Sequence, residues 1–336
     1  MEQQFKYNYC RRPHVVIVGA GASRAVMGDL CPTMDEVIGK VGFDNILSGV
    51  SLHTKSRNLE AVYSELYNRG EECKDIREKI EHCLFDYFKQ VSLPLEPTVY
   101  DQLLLSLTSK DCVASFNWDG LLIEAYNRVN KITKDLPEML FLHGNVAAGV
   151  CEECKTFGPI VNKCPKCNNH FSQVSLLYPV EHKNYTDNLF IRDQWNVFKD
   201  YMERAGMLTV FGYSAPKSDV EASEIMKKAY FKNGIVHQLD RMEIIERPGI
   251  VEEEISDTWK FFFDKIGRHY EVVDSFYKST LGKAPRRSLQ YLFKRYISGW
   301  WNLPSIYLEP CTTFLELSQI INPLLIREEN NDYEVI

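Results

Sequence analysis

The chain has 336 residues, of which 45% are hydrophobic and 25% charged, a balance that supports one large buried core and a smaller lobe and excludes long disorder. Its formal net charge of -7 argues against binding nucleic acid through bulk electrostatics, and direct nucleic-acid binding is not expected. No apolar run approaches the roughly 20 residues of a membrane-spanning helix, and the opening MEQQFKYNYCRRPH is polar where an export signal is apolar, so a cytoplasmic location without membrane contact is expected.

Five short apolar runs read as buried strands: 14 to 19, 111 to 117, 139 to 144, 207 to 214 and 241 to 246. Helical patterns lie between them, with Ile76, Ile80, Leu84, Tyr87 and Phe88 on one stripe and Leu121, Leu122, Ala125 and Tyr126 on another. This alternation predicts an α/β fold, a Rossmann-like parallel sheet flanked by helices. Residues 43 to 107 are too long for one crossover and read as a helical lobe, and about 145 to 180 as an inserted cysteine ribbon. After 250 the helix spacing of Trp259, Phe262, Phe263, Ile266 and Tyr270, and of Leu292, Phe293, Tyr296, Ile297 and Trp300, predicts a helical extension. The expected division is therefore a nucleotide-binding domain over 1 to 250 and an extension over 251 to 336.

The first strand runs into VVIVGAGAS, so Gly19 and Gly21 stand where a strand turns into a helix, a place where missing side chains let backbone amides approach a pyrophosphate. A purely structural tight turn gives the same pattern. After the second strand, SFNWDG places Asn117 and Asp119 at its carboxyl end, where open α/β sheets bind ligands. They are candidates for holding a ribose; alternatively Asp119 caps the following helix and Asn117 fills a turn. The third strand ends in LHG, so His143 projects from the same edge and can take a proton from a hydroxyl or a water.

Cys151, Cys154, Cys164 and Cys167 form C-x2-C-x9-C-x2-C, two knuckles that fit a tetrahedral zinc held by four thiolates, closed and hence structural. His170 is a weaker alternative ligand. The fourth strand ends FGYSAPKSD: Gly212 permits close approach of an adenosine and Ser214 offers a hydroxyl, although Pro216 favours a plain turn. Glu246 at the fifth strand's end and Lys183 are weaker candidates for the same cleft.

Taken in order, GAGAS, SFNWDG, LHG, the paired cysteines and FGYS resemble the sirtuin (silent information regulator) superfamily over about residues 14 to 250. The resemblance implies NAD as the bound molecule, with Gly19, Ala20, Gly21 and Ser23 around its phosphates, Asn117 and Asp119 at the nicotinamide ribose, His143 as general base, and Gly212 and Ser214 on the adenosine side. Deacylases of that family carry Ile-Pro-Asp-Phe-Arg after the glycine loop, Gln-Asn-Ile-Asp at the second motif, and a strand after the zinc ribbon that pairs with the acyl-lysine peptide. Here MGDLCPTMDEV follows the loop, Phe116 and Trp118 replace the Gln and Ile, and no peptide-pairing element follows the ribbon.

That pattern is similar to the bacterial sirtuin-like NADases of antiphage defence. It implies an NAD hydrolase with Asn117, His143 and Asp119 as the catalytic set, kept silent until it assembles as a homo-oligomer or with a second defence protein. An NAD-dependent lysine deacylase and a non-catalytic NAD- or ADP-ribose-sensing subunit stand as alternatives. Trp259, Phe262, Phe263, Trp300 and Trp301 are read as a candidate partner surface, with packing back on the core as the alternative.

Overall fold

The computed structural model describes residues 9–179, 188–216, 219–230, 241–250, 254–255, 257–266, 269–300 and 302–335. Six strands form one wholly parallel sheet: β1 (His14–Val18), β2 (Cys112–Ser115), β3 (Glu138–Phe141), β7 (Met207–Phe211), β8 (Arg241–Ile245) and β9 (Tyr270–Val273), in the order β3-β2-β1-β7-β8-β9. The central strands HVVIV, CVAS and MLTVF are buried along their whole length, as expected where helices cover both faces of a parallel sheet. Helices α1 (Ala20–Met27), α4 (Val99–Leu105), α5 (Leu121–Val129), α6 (Leu189–Arg204), α7 (Val220–Tyr230) and α8 (Asp257–Ile266) connect the strands or flank them. In α4, Thr98 and Asp101 cap each other's backbone reciprocally.

The strand ends are level. Phe141, Ser115, Val18, Phe211, Ile245 and Val273 are paired across the whole sheet in that order. Whatever follows each strand therefore emerges along one edge, which is the geometric origin of the cleft.

The helical lobe contains α2 (Leu59–Asn68) and α3 (Lys74–Gln90) and has a core of its own, running from Val37 to Phe88 and joined by Trp118, Val146 and Leu176. Sequence reasoning carried the lobe on to 107. The structure instead buries Tyr100, Leu103, Leu104 and Leu105 of α4 in the main core, because its apolar side chains back the sheet. The ribbon is a separate three-stranded antiparallel sheet, β5 (Phe157–Pro159), β4 (Ala148–Val150) and β6 (Ser172–Gln173).

Beyond 250 the expected helices are present, but Tyr270 does not continue the stripe of α8. It opens β9, the sixth strand, and stacks on Phe263 with ring centroids 3.9 Å apart. Trp259, Phe262 and Phe263 do not form a partner surface either: they are buried in the main core, and Trp259 Nε1 donates to the Tyr213 carbonyl at 3.1 Å. Trp300 is half-buried against Tyr291, and Trp301 lies outside the described residues. The last helix, α9 (Phe314–Glu329), is fastened by Glu328, which accepts from both Arg286 and Arg287. Those arginines are 3% and 2% exposed, and Arg286 also donates to the Leu107 carbonyl at 2.8 Å. Among the described residues, no helix is long and apolar enough to cross a membrane.

Candidate functional site

Because the strand ends are level, the second residue past each one falls in a row: His143, Asn117, Ala20, Tyr213, Arg247 and Ser275. All six line a single cleft of ≈ 980 Å³, together with Gly21, Ser23, Asp119, Gly212, Ser214 and Glu246. The sheet edge forms its floor. Residues from the helical lobe, among them Asn58, Glu60 and Phe88, reach it from the other side. Such a cleft lies at the upper end of the roughly 300–1,000 Å³ of small-molecule sites.

At its centre is a buried polar knot. Asn117 donates through Nδ2 to the Gly19 carbonyl at 2.8 Å and to Ser23 Oγ at 2.8 Å. Ser23 in turn donates to Asp119 Oδ2 at 2.7 Å and lies 2.8 Å from the Tyr100 hydroxyl. A serine has one proton to give. With that proton on Asp119, the Tyr100 hydroxyl must donate to Ser23 rather than accept from it. Burial holds the Asp119 carboxyl above its usual range, against the opposing hydrogen bonds from Ser23 and Leu121, and it pushes the Tyr100 phenol up as well.

Both carboxylate oxygens of Asp119 are engaged within the protein. One oxygen takes Ser23, while the other accepts the Leu121 amide at 3.2 Å at the start of α5. The loop after β3 is tied to the loop after β2 as well, since Asn145 donates to the Asp119 carbonyl and Val146 N to the Trp118 carbonyl at 2.8 Å.

Gly212 has a structural role that the sequence did not disclose. Its φ is +60°, and its backbone packs directly on the GAG turn: Gly21 N donates to the Gly212 carbonyl at 2.9 Å. A Cβ on Gly21 would come within 2.8 Å of Gly212 Cα, so three glycines let two backbone turns touch before any ligand arrives. The loop continues through Ala215, also left-handed at φ 49°, leaving Ser214 exposed at the cleft. Gly144, at φ +79°, makes the corresponding turn after His143.

His143 is 6% exposed, its ring edge-on to Phe116 at 4.8 Å. Phe116 also stacks on Tyr213 at 3.9 Å and leans on Trp195. Phe116 is thus the centre of an aromatic wall that fixes the imidazole plane. Trp118 reaches the other way, donating to the Leu177 carbonyl at 3.1 Å and meeting Phe88, and so joins the sheet edge to the helical lobe.

Sequence reasoning missed several residues of the cleft. Asp219 lies 3.7 Å from His143 Nε2 through one carboxylate oxygen, and the other accepts from the Tyr213 hydroxyl at 2.6 Å. It follows the FGYS run by a few residues and was legible only as loop. Tyr100, buried behind the cleft and holding Ser23, carries no signal beyond an apolar helix face. Asp274 and Ser275 follow the sixth strand, which helix spacing concealed. Glu246 lines the cleft and burial raises its carboxyl, whereas Lys183 falls outside the described residues.

In the ribbon, the four cysteine sulfurs all lie within 4.8 Å of one another, with Cys151 and Cys167 at 3.4 Å. The knuckles are built alike. Lys155 N donates to the Cys151 carbonyl at 2.8 Å and Asn168 N to the Cys164 carbonyl at 2.9 Å, and Lys155 and Asn168 are both left-handed, at φ 51° and 63°. A zinc ion with sulfurs at about 2.3 Å requires them to stand about 3.8 Å apart, and this cluster fits. Cys151, Cys154, Cys164 and Cys167 would hold it with no position left open, so the metal would brace the ribbon. His170 is exposed and lies outside the cluster, its backbone bridging to Lys163.

No family model and no curated protein matches this chain. Solved structures similar to it include a Sir2 homologue in complex with NAD, at 15% identity and TM-score 0.39, covering 88% of this chain and 95% of that one. A Sir2 bound to acetylated peptide is similar at 14% identity and TM-score 0.38, with 89% and 99% covered. A serine-to-alanine variant of a Sir2 homologue with ADP-ribose stands at 15% and 0.38, with 90% and 100% covered.

Proposed function

We propose that the cleft binds NAD and that the protein hydrolyses its nicotinamide–ribose bond, giving nicotinamide and ADP-ribose. The observation that carries this reading is the convergence of the GAG turn, the Ser23–Asn117–Asp119 knot and His143 on one sheet edge, in a cleft with room for a dinucleotide. The knot would hold the ribose end, with Asn117 and Asp119 kept rigid by Tyr100, and the level strand ends from β1 to β9 would line the rest of the cofactor. Cleavage builds positive charge on the ribose, so the site has to orient the cofactor and a water while His143 accepts the proton. The dinucleotide supplies the scissile bond and its own cationic leaving group.

Hydrolysis is favoured over acyl transfer because Phe116 and Trp118 are committed to walls. Phe116 is stacked on Tyr213 and set edge-on to His143, and Trp118 is bonded to the segment after the ribbon. Unrestrained hydrolysis would exhaust the NAD of its host, so a gated effector such as one of antiphage defence is the proposed setting. Leu303, Leu315 and Ile326, at 67%, 70% and 58% exposed, are among the apolar residues available for assembly in the last part of the chain.

Mass spectrometry of NAD incubated with the protein, with and without an acyl-lysine peptide, tests the reading. Nicotinamide with ADP-ribose is expected in both. O-acyl-ADP-ribose formed only with peptide would replace hydrolysis by deacylation, and binding without products would leave a sensor.

A further inference from the structure

The carboxylate of Asp219 has no role in the chemistry above, yet it sits against its base. Asp219 is 2% and His143 6% exposed, with Asp219 Oδ1 3.7 Å from His143 Nε2. The Asp219 main chain is set by its amide, which donates to the Pro216 carbonyl at 2.9 Å, and its second oxygen by the Tyr213 hydroxyl. Tyr213 is held in turn by the Phe116 stack, and Phe116 also covers the His143 ring. One aromatic pair therefore positions both members of an imidazole–carboxylate couple, although they come from loops after different strands.

A buried anion beside an imidazole favours its protonated form. A base in catalysis needs that stabilisation at the moment it takes a proton, as the aspartate of a serine-protease triad provides. We infer that Asp219 is a positioning residue for His143, holding the ring in register and balancing the imidazolium formed during NAD cleavage.

This rests on the hydrolase reading. In the step it serves, the bond from ribose C1′ to the nicotinamide nitrogen breaks and its electron pair neutralises the leaving ring. The water oxygen bonds to C1′, and the water proton passes to His143 and then to solvent. At 3.7 Å the pair is longer than a direct hydrogen bond. The contribution expected at rest is electrostatic, with the contact tightening when the ring is charged.

The test uses full-length Asp219→Asn and Tyr213→Phe, each checked for unchanged melting, together with ¹⁵N spectra of histidine-labelled protein. Asp219→Asn is expected to lower kcat about ten- to a hundredfold with KM for NAD within about twofold, and Asp219→Glu to recover part of the loss. Tyr213→Phe, which keeps the ring, should lie between Asp219→Asn and wild type. The His143 imidazole resonances should show less of the protonated form in Asp219→Asn than in wild type at the same pH. If the wild type releases no nicotinamide but the resonances move, the couple stands and the hydrolase reading falls. Wild-type kcat together with unmoved resonances in Asp219→Asn overturns the couple, as does a loss confined to KM.

Discussion

In the ribbon, four sulfurs are gathered by the stretch from Cys151 to Cys167, through two copies of one turn. In the cleft, Ser23, Asn117, Asp119, His143 and Asp219 are brought together only after four strands, β3, β2, β1 and β7, have paired with level ends. The ribbon's geometry is local, so it depends on its metal. The cleft's geometry is a property of the sheet, so it depends on the whole core. Perturbing one region while watching the other shows whether that separation is real.

The largest expected effect is in the ribbon. A closed four-thiolate site couples about 10–16 kcal/mol of zinc binding to local folding, so Cys151→Ser should lose zinc and the hydrogen-exchange protection of β4 to β6. The sheet amides should stay protected. Equal loss across the sheet, or a fully metallated variant with unchanged melting, would contradict the separation.

On the sheet side, Glu328→Gln leaves the buried guanidinium groups of Arg286 and Arg287 without the carboxylate they share. Breaking a buried pair in this way costs about 3–5 kcal/mol, here as a drop in global stability by chemical denaturation, with zinc content unchanged. A change within experimental error would mean that α9 is not part of the core.

A smaller effect sharpens the picture of the sheet interior. His14, on β1, is wholly buried with Nε2 2.8 Å from Thr209 Oγ1, and burial lowers its pKa from 6.5 to about 3. In the folded state it stays neutral where the unfolded chain would protonate it. Its contribution is therefore complete above about pH 6.5 and is lost as the pH falls toward 3. The slope from this group approaches about 1.4 kcal/mol per pH unit within that window. His14→Gln should flatten the wild-type pH–stability curve by that slope; parallel curves would show that His14 does not titrate differently on unfolding.

The same contrast accounts for what the sequence disclosed. The zinc site was legible because its four ligands and turns are neighbours in the chain. The strands β1, β2, β3, β7 and β8 were legible as apolar runs between turns. β9 was not, since YEVV is a half-buried edge strand that begins on an aromatic in helix register with α8. The glycine turn, Asn117, Asp119 and His143 were found because each follows a recognisable strand. Asp219 and Tyr100 became visible only when the loops were folded, as did the backbone contact of Gly212 with the GAG turn. Trp259, Phe262 and Phe263 were read as surface because short helices alone could not bury them, whereas the main core around the parallel sheet supplies the missing partner.

The measurement that bears most directly on the cleft is a calorimetric titration of NAD into wild type and His143→Ala, with nicotinamide release followed in the same samples. Both proteins should bind NAD, because the binding surface comes from the strand ends and the Ser23–Asn117–Asp119 knot. Wild type should release nicotinamide and His143→Ala should do so at least about a hundredfold more slowly. Release by His143→Ala at the wild-type rate, or the failure of both proteins to bind NAD, would contradict the account.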